Sequence, residues 1–404
     1  MIFHLKYDRN LADGAFFYDK DFGSYFITSK TNILLKLNEC DLIIEKDLVK
    51  IDASNSNYKI HRIEKDDLYI YIFIKKTPLD LNIEHLTLDS LSITSDFPLF
   101  TGGDVLEYLA DVRELANGNF MVGSVEDYIK TIETLANRYP NKEHFFRGHY
   151  YYKYLLVPSL YRKKKYYDNE SYMYMDFKTQ FYNELSNKKY IEILTTMQHY
   201  KMPTRLLDTT SNPLVALYMA CDIPYNYHSK NYGIGEVVFM SEDRKNVKYS
   251  DSNTTILLSS LAVLETPLKQ ELYEAIKESI KNKDKKYQET KAYKRFVGEV
   301  TSELSGFDET YFDPESLLKP RHVKVGMINE RIIAQSGNFI LFGLCNYQTG
   351  EYEPLNTVSK ERIFIVHRDY ISKQLNMLNI NAGTMYPDKD HMSIEIMKSY
   401  DNLK

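Results

Sequence analysis

The alternation of apolar and polar residues changes period along the chain. In residues 68–74, isoleucine alternates with tyrosine or phenylalanine, which is the two-residue period of a strand. Apolar pairs that recur every five residues between Leu81 and Ile93 favour further short strands over a fragment of β-solenoid. We therefore expect a β-rich N-terminal domain over residues 1–110.

Two turn signals end this part of the chain. Thr101-Gly102-Gly103-Asp104 and Asn117-Gly118-Asn119 break the pattern, with a helical stretch between them. After them the period becomes that of a helix: Ser124 can cap an apolar stripe that runs from Val125 to Ala136 and ends before Pro140. We place the domain boundary in this interval and expect the second domain to span residues 119–396.

Helices and strands alternate in the second part. The expected helices cover residues 171–185, 190–198 and 213–221, together with a charged segment at 264–293. The expected strands cover residues 235–240, 322–325, 338–344 and 362–366. The pattern as a whole predicts an α+β fold, in which a β-rich N-terminal domain precedes a mixed α/β domain.

Composition narrows the class of protein. The chain has 404 residues and a formal net charge of −5, so no global basic field recruits nucleic acid. Apolar stretches are too short to cross a bilayer, and the start of the chain lacks the layout of a signal peptide. Three widely spaced cysteines suit a reducing compartment. We expect a cytoplasmic protein that does not associate with membranes.

The first segment that suggests chemistry is Phe145-Phe146-Arg147-Gly148-His149. Two aromatic residues predict a strand, and glycine after Arg147 allows another chain or a ligand to approach the backbone. The planar fork of donors on arginine suits phosphate or carboxylate. The alternative is a structural ion pair.

The second segment runs from Gln198 to Pro213 and is the richest in polar residues. Pro203 ends one helix, and Asn212 caps the next helix, whose first residue is Pro213. Free N–H groups at this helix start, with the hydroxyls of residues 209–211 beside them, form an anion site. The alternative is an ordinary capped turn.

Within the same segment, charged and aromatic residues lie close together. Arg205 and Asp208 are near enough in sequence to pair, which would hold Arg205 in place. His199 is a turn residue or a base, and Tyr200 follows it directly.

The third segment runs from Asn329 to Phe339. Glu330 and Arg331 supply charge, and Gln335 can both donate and accept before the chain passes through Gly337 into a strand. The alternative is a surface ion pair with a buried amide. Near these three segments the sequence shows no spacing typical of a metal site, and we predict none; the nearest cluster is Asp388, Asp390 and His391.

In this order, the three segments resemble the FRG domain, a bacterial module named after its Phe/Tyr-Arg-Gly motif. The resemblance covers roughly Ser124 to Ile396. It departs at Lys201, where the family tends to glycine, and at Thr209, where it tends to tryptophan. It rests on Phe146-Arg147-Gly148, Pro158-Ser159-Leu160, Gln198-His199-Tyr200, Pro203 to Asp208, Asn212 to Tyr218, Gln335-Ser336-Gly337 and Met385 to Asp388.

The resemblance implies a component of a bacterial anti-phage defence or toxin-type locus. Our leading hypothesis is a site that acts on NAD or a related nucleotide, similar to ADP-ribosyltransferase-like folds, with NAD as substrate and no cofactor. Such sites use a polar or basic residue at the end of an early strand, then a hydroxyl before a buried helix, then a residue on a late strand. Arg147, Thr210 and Gln335 occur in that order. The predicted catalytic residues are Arg147, Thr210, Gln335 and Glu330, and the predicted substrate-binding residues are Arg205, Asp208, His199, Tyr200, Thr209 and Asn212.

A second hypothesis is a module without catalytic activity. In that case the same arginines recognise a nucleotide, a nucleic-acid end or a phage protein, and the N-terminal domain engages a protein partner. A metal-dependent nuclease is disfavoured because it would need a cluster of carboxylates or histidines at the site.

Overall fold

The computed structural model describes residues 120–222, 234–326, 329–352, 359–366, 368–387 and 393, and before them the backbone of short strands. These N-terminal strands include Leu68–Lys75, which contains the strand predicted at 68–74. The helical stretch expected after Asp104 lies outside the described residues, and a separate N-terminal domain stays a prediction. The strands are β1 (His4–Tyr7), β2 (Asn10–Ala12), β3 (Asp41–Glu45), β4 (Leu48–Asp52), β5 (Tyr58–Lys65), β6 (Leu68–Lys75), β7 (Ser92–Thr94) and β8 (Phe100–Thr101).

A mixed eight-stranded sheet organises the chain from residue 120 onward. Its strand order is β13-β14-β15-β11-β10-β12-β18-β9, with parallel pairing only at its two ends, between β13 and β14 and between β18 and β9. The strands are β9 (Phe120–Val122), β10 (Glu143–His149), β11 (Leu206–Thr210), β12 (Gly235–Glu242), β13 (Lys248–Tyr249), β14 (Arg321–Lys324), β15 (Gly337–Leu341) and β18 (Ser359–Ile365), and a separate hairpin joins β16 (Cys345–Asn346) to β17 (Glu351–Tyr352).

Helices cover both faces of this sheet. Short 3-10 turns connect them, such as Ser159–Arg162 and Leu261–Val263. The α-helices of the described region are α1 (Val125–Arg138), α2 (Lys164–Tyr167), α3 (Glu170–Gln180), α4 (Tyr182–Leu185), α5 (Tyr190–His199), α6 (Pro213–Cys221), α7 (Asn253–Ser260), α8 (Thr266–Asn282), α9 (Lys291–Glu303), α10 (Glu330–Ala334), α11 (Arg368–Met377) and α12 (Ala382–Met385).

Alternating side chains of the central strands pack into two separate hydrophobic cores, one on each face of the sheet. On β12, Val238 and Met240 join the cluster built with α3, α5, α7, α8 and α9. Val237 and Phe239 point to the other face and join the cluster built with α1, α6 and α11. Every residue of β12 is buried, and its middle, residues 237–240, is a continuous apolar run, as expected of a strand covered on both faces.

Local sequence signals place most elements correctly. Ser124 accepts a hydrogen bond from the Asp127 backbone N–H at 3.1 Å and so caps α1, and Asn212 caps α6, with Pro213 as its first residue. The helix expected at 171–185 is interrupted at Phe181 and forms α3 and α4. The charged segment 264–293 forms α8 and the start of α9. The mixed α/β character is confirmed, whereas the boundary between two domains stays a prediction.

None of the described helices is both long enough and apolar enough to cross a membrane.

Gly148 on β10 is required by the close approach of α6. A Cβ atom at this position would lie 2.0 Å from the Ala216 carbonyl oxygen and 2.8 Å from the Ala220 backbone nitrogen. Both are backbone atoms within a helix, so neither can move aside cheaply. Only glycine therefore allows the helix to lie this close to the strand.

We expect Gly148→Ala to lower the free energy of unfolding by about 1–3 kcal/mol, because overpacking must displace α6. The matched control is Gly298→Ala in the interior of α9, where a Cβ atom meets nothing within 4 Å. That substitution should stabilise by about 0.5–1 kcal/mol through helix propensity. Urea unfolding of both variants measures the change in the free energy of unfolding, which should be opposite in sign for the two substitutions. Equal changes would contradict the packing argument.

Candidate functional site

The three polar segments identified in the sequence line one cleft. Strand β11 lies between β10 and β15, so the sheet order brings Arg147, Asp208 and Gly337 to neighbouring strands. The cleft encloses about 490 Å³ of empty space, part of it open to solvent. It is lined by Phe146, Arg147, Thr195, Gln198, His199, Asp208, Thr209, Met219, Asn329, Arg331, Ile332, Gln335, Gly337, Asn338 and Phe339.

Arg147 is the most constrained charged group of the cleft. Its Nη1 donates to the Asp208 carbonyl oxygen at 2.5 Å, and its Nε donates to Nε2 of His149 at 2.8 Å. Only 14% of its side chain is exposed. Burial lowers the pKa of Arg147 to about 10, a shift that nearby Asp208 opposes, so the group remains a cation at neutral pH. Within the described residues its Nη2 makes no hydrogen bond.

Asp208 is the carboxylate that faces the cleft. Its side chain is 48% exposed, and Oδ2 accepts a hydrogen bond from Gln198 Nε2 at 3.0 Å and lies 3.9 Å from Arg147 Nη1. Gln198 is itself fixed, because its Oε1 accepts from Thr204 Oγ1 at 2.5 Å. Asp208 is therefore held in place but remains accessible to a ligand.

Thr209 supplies a hydroxyl that is buried at the wall of the cleft. The residue is 5% exposed, and in the described part of the chain its Oγ1 has no hydrogen-bond partner. A buried hydroxyl without a partner costs about 1–3 kcal/mol, and proteins rarely retain one without a reason. A ligand atom in the cleft would provide the missing partner.

Gln335 and Arg331 border the cleft from α10. Gln335 follows the last residue of this helix, and its Nε2 donates to the Met385 carbonyl oxygen at 2.9 Å. The Arg331 guanidinium lies over the Tyr386 ring, 5.2 Å from its centroid. Arg331 was noted in the sequence only for its charge, yet it is the second guanidinium of the site.

Thr210 lies outside the cleft lining, although the sequence made it a catalytic candidate. Its Oγ1 donates to the Gln335 carbonyl oxygen at 2.7 Å and accepts from the Asn212 backbone N–H at 2.9 Å. Asn212 caps α6 through Leu214 and likewise does not line the cleft. In this structure the pair stabilises the turn between β11 and α6, and Thr209 presents its side chain to the cleft instead.

Arg205 does not reach the cleft, and the expected pair with Asp208 is wrong. Its side chain is fully buried and bidentate to Glu170, with Nε at 2.8 Å from Oε1 and Nη2 at 2.6 Å from Oε2. Lys269 donates to the same carboxylate at 2.6 Å. Although burial alone would raise the pKa of Glu170, the two cations lower it. Arg205 is therefore a core residue whose donors are occupied.

We expect Glu170→Gln to lower the free energy of unfolding by about 3–5 kcal/mol, because it leaves two cations buried without their anion. The matched control is Glu126→Gln, since Glu126 pairs with Lys130 on the surface with 75% of its side chain exposed. That change should leave the urea midpoint nearly unmoved. Comparable losses in both variants would show that the buried cluster of Glu170, Arg205 and Lys269 contributes no more to the free energy of unfolding than a surface ion pair does.

The remaining predicted residues lie at the edge of the cleft or beyond it. His199 lines the cleft, and its ring contacts that of Tyr200 at 5.0 Å between centroids. Tyr200 is exposed and stacks on Phe181 outside the lining. Glu330 is exposed at the start of α10 and is not part of the lining. Lys201, where the family tends to glycine, has φ 62°, a left-handed conformation that glycine adopts without strain.

The structure also shows residues that sequence reasoning did not assign to the site. Gln198 and Asn338 belong to the second and third polar segments, so the sequence could have predicted that they line the cleft. His149 and Glu236 support Arg147 from β10 and β12. Glu236 could not have been found, because it is the second residue of a strand that is expected to be buried and lies 87 residues from His149.

In the part of the chain that the structure describes, no three histidine, cysteine or acidic side chains are grouped so that they could hold a metal ion. The cluster of Asp388, Asp390 and His391 lies outside the described residues.

Comparison with known proteins identifies one family. Residues 142–229 match the family model of the FRG domain, so the chain carries an FRG domain over β10, α5, β11 and α6. The match includes the first two polar segments; the wider extent expected from the sequence, to Ile396, is a prediction. Neither the curated proteins nor the solved structures include a match to this chain.

Proposed function

We propose that the FRG domain of this chain binds NAD, or a nucleotide of the same kind, in the cleft lined by Arg147 and Thr209. The observation that carries the proposal is the buried Thr209 hydroxyl, which has no partner among the described residues and lies in the same cleft as the Arg147 guanidinium. A phosphate or ribose oxygen would satisfy both groups.

The charge of the cleft favours an anion. Among its lining residues Arg147 and Arg331 are cations, and Asp208 is the one carboxylate. Arg162 adds a further positive charge near Arg147 and contributes to lowering its pKa, although burial is the larger cause. A bound diphosphate would offset the repulsion between the guanidinium groups of Arg147 and Arg162. A neutral ligand would not, so we expect the cleft to bind a diphosphate more tightly.

The rest of the lining suits a ligand that has an apolar ring with polar atoms at its edges. Met219, Ile332 and Phe339 provide apolar surface, while Gln198 and Asn338 provide amides. Small-molecule sites are mostly apolar with a few polar groups that fix orientation, and the lining of this cleft has that composition. A nucleotide has both kinds of surface.

Asp208 favours a second candidate function, cleavage of the N-glycosidic bond of NAD. Breaking this bond builds positive charge on the ribose, and a carboxylate in the cleft would stabilise it. In an arrangement similar to ADP-ribosyltransferase-like sites, Arg147 would hold phosphate, Thr209 the ribose, and Gln335 the far side of the ligand. The role in anti-phage defence or as a toxin-type effector follows only from the family resemblance and belongs to the same proposal.

We expect calorimetry with the full chain to detect binding of NAD and ADP, and Arg147→Gln to weaken it about tenfold or more, as loss of a charge-assisted hydrogen bond should. The control is Arg295→Gln, because Arg295 is exposed on α9 and, within the described part of the chain, forms an ion pair only with Glu299. Absence of binding of both nucleotides to the unmodified protein would overturn the proposal.

Thr209→Val gives a sharper test, because it should change stability and binding in opposite directions. Replacing a hydroxyl without a partner by a methyl group removes a desolvation cost, so thermal stability should stay the same or rise. Binding of NAD should weaken all the same, since the ligand loses its partner. A variant that binds NAD as tightly as the unmodified protein would show that Thr209 does not contact the ligand.

Asp208→Asn tests the catalytic candidate. If Asp208 stabilises the ribose cation, the release of nicotinamide from NAD should fall by about two orders of magnitude or more, while calorimetric binding of NAD persists. If the unmodified protein binds NAD and releases no nicotinamide over a long incubation with candidate targets, the site is a binding module and the catalytic candidate is wrong.

A further inference from the structure

Behind Arg147, on the side away from Asp208, a chain of polar groups runs across the sheet from buried His149 and Glu236 to exposed Arg362. His149 and Glu236 are directly paired residues of β10 and β12, and both are almost fully buried. His149 Nδ1 lies 3.2 Å from Glu236 Oε2, and Glu236 Oε1 accepts a hydrogen bond from Nε of Arg362. Arg362 is anchored in turn by donating from Nη2 to the Tyr152 carbonyl oxygen at 2.7 Å.

The donors in this chain fix the protonation of His149. The Nε group of arginine can only donate, so His149 Nε2 must be an acceptor without a proton. The single ring proton is then on Nδ1 and points to the Glu236 carboxylate. His149 is therefore a neutral imidazole of one defined tautomer between a cation and an anion.

We propose that His149, held in this tautomer by Glu236, is a positioning residue that orients the Arg147 guanidinium for the nucleotide. The inference rests on the proposed function of the cleft. With Nε held by His149 and Nη1 held by the Asp208 carbonyl, two edges of the guanidinium are fixed and Nη2 is left for the ligand. A preorganised guanidinium binds an anion more tightly than one that must be ordered on binding.

The same geometry makes the arrangement sensitive to acid. A proton on His149 Nε2 would place two N–H groups against each other and break the contact with Arg147. The groups around the ring are Arg147 on β10, Glu236 on β12, Arg162 and the Tyr154 ring, which lies edge-on at 6.1 Å between centroids. Burial is the main cause that lowers the pKa of His149, Arg147 acts in the same direction, and Glu236 opposes them. His149 is thus neutral at pH 7.5 and gains its proton at a lower pH than an ordinary histidine does.

The test compares NAD affinity at pH 7.5 and pH 5.5 by calorimetry, because the diphosphate of NAD keeps its charge over this range. His149→Phe removes the acceptor and should weaken binding about tenfold at pH 7.5. His149→Gln keeps an acceptor that does not titrate, so it should bind nearly as the unmodified protein does and lose less affinity at pH 5.5. The control, His144→Gln, alters a histidine of the same strand that contacts Ser241, and it should behave as the unmodified protein at both pH values.

The possible failures can be told apart. If Arg147→Gln loses binding and His149→Phe retains it, the proposed function stands and the positioning role is overturned. An equal loss of affinity at pH 5.5 in the unmodified protein and in His149→Gln would also overturn it. Should the unmodified protein not bind NAD, nitrogen-15 NMR of labelled histidine still decides: an unprotonated Nε2 supports the arrangement, and a protonated Nε2 at pH 7.5 refutes it.

Discussion

The position of one guanidinium, that of Arg147, determines what the cleft can bind. Nη1 is held by a backbone carbonyl and Nε by an imidazole, and both partners are neutral acceptors at neutral pH. The nearest carboxylate, Asp208, is 3.9 Å away and half exposed, so it compensates the buried cation only in part. A cation held this way gains from an anionic partner, and in the part of the chain that the structure describes the Thr209 hydroxyl of the same cleft has no hydrogen-bond partner.

Arg205 shows the opposite outcome for the same residue type. Its carboxylate partner, Glu170, is buried and bidentate, and the Phe342 carbonyl oxygen accepts from Nη1 at 3.0 Å. Every strong donor direction is therefore satisfied inside the core, and a ligand has nothing to add. Both arginines lie in or beside central strands, and both are largely or fully removed from water. They differ in how their positive charge is compensated: Arg205 has a buried carboxylate partner, whereas the carboxylate near Arg147 is half exposed.

The sequence predicted local features well and pairings across the fold poorly. Caps such as Ser124 and Asn212 depend on neighbours within three residues, so their signals were sufficient. The partner of Arg205 is 35 residues away on α3, and a guess based on proximity in sequence chose Asp208 instead. Thr210 was assigned to catalysis and Thr209 to substrate binding, and of the two only Thr209 lines the cleft. Which of two adjacent hydroxyls meets the cleft depends on how β15 and α10 pack against β11, and the local sequence carries no signal for this packing.

The Phe-Arg-Gly triplet follows from the geometry of a strand that is covered on both faces. Phe146 and Gly148 point to one face, where Phe146 packs in the α6 core and Gly148 admits the helix backbone. Arg147 points to the other face, together with His149, which holds it. Because side chains alternate, no other spacing would combine a close helix on one face with a braced guanidinium on the other. The helix that Gly148 admits also carries Met219 into the lining of the cleft, so the glycine shapes the site without contacting a ligand.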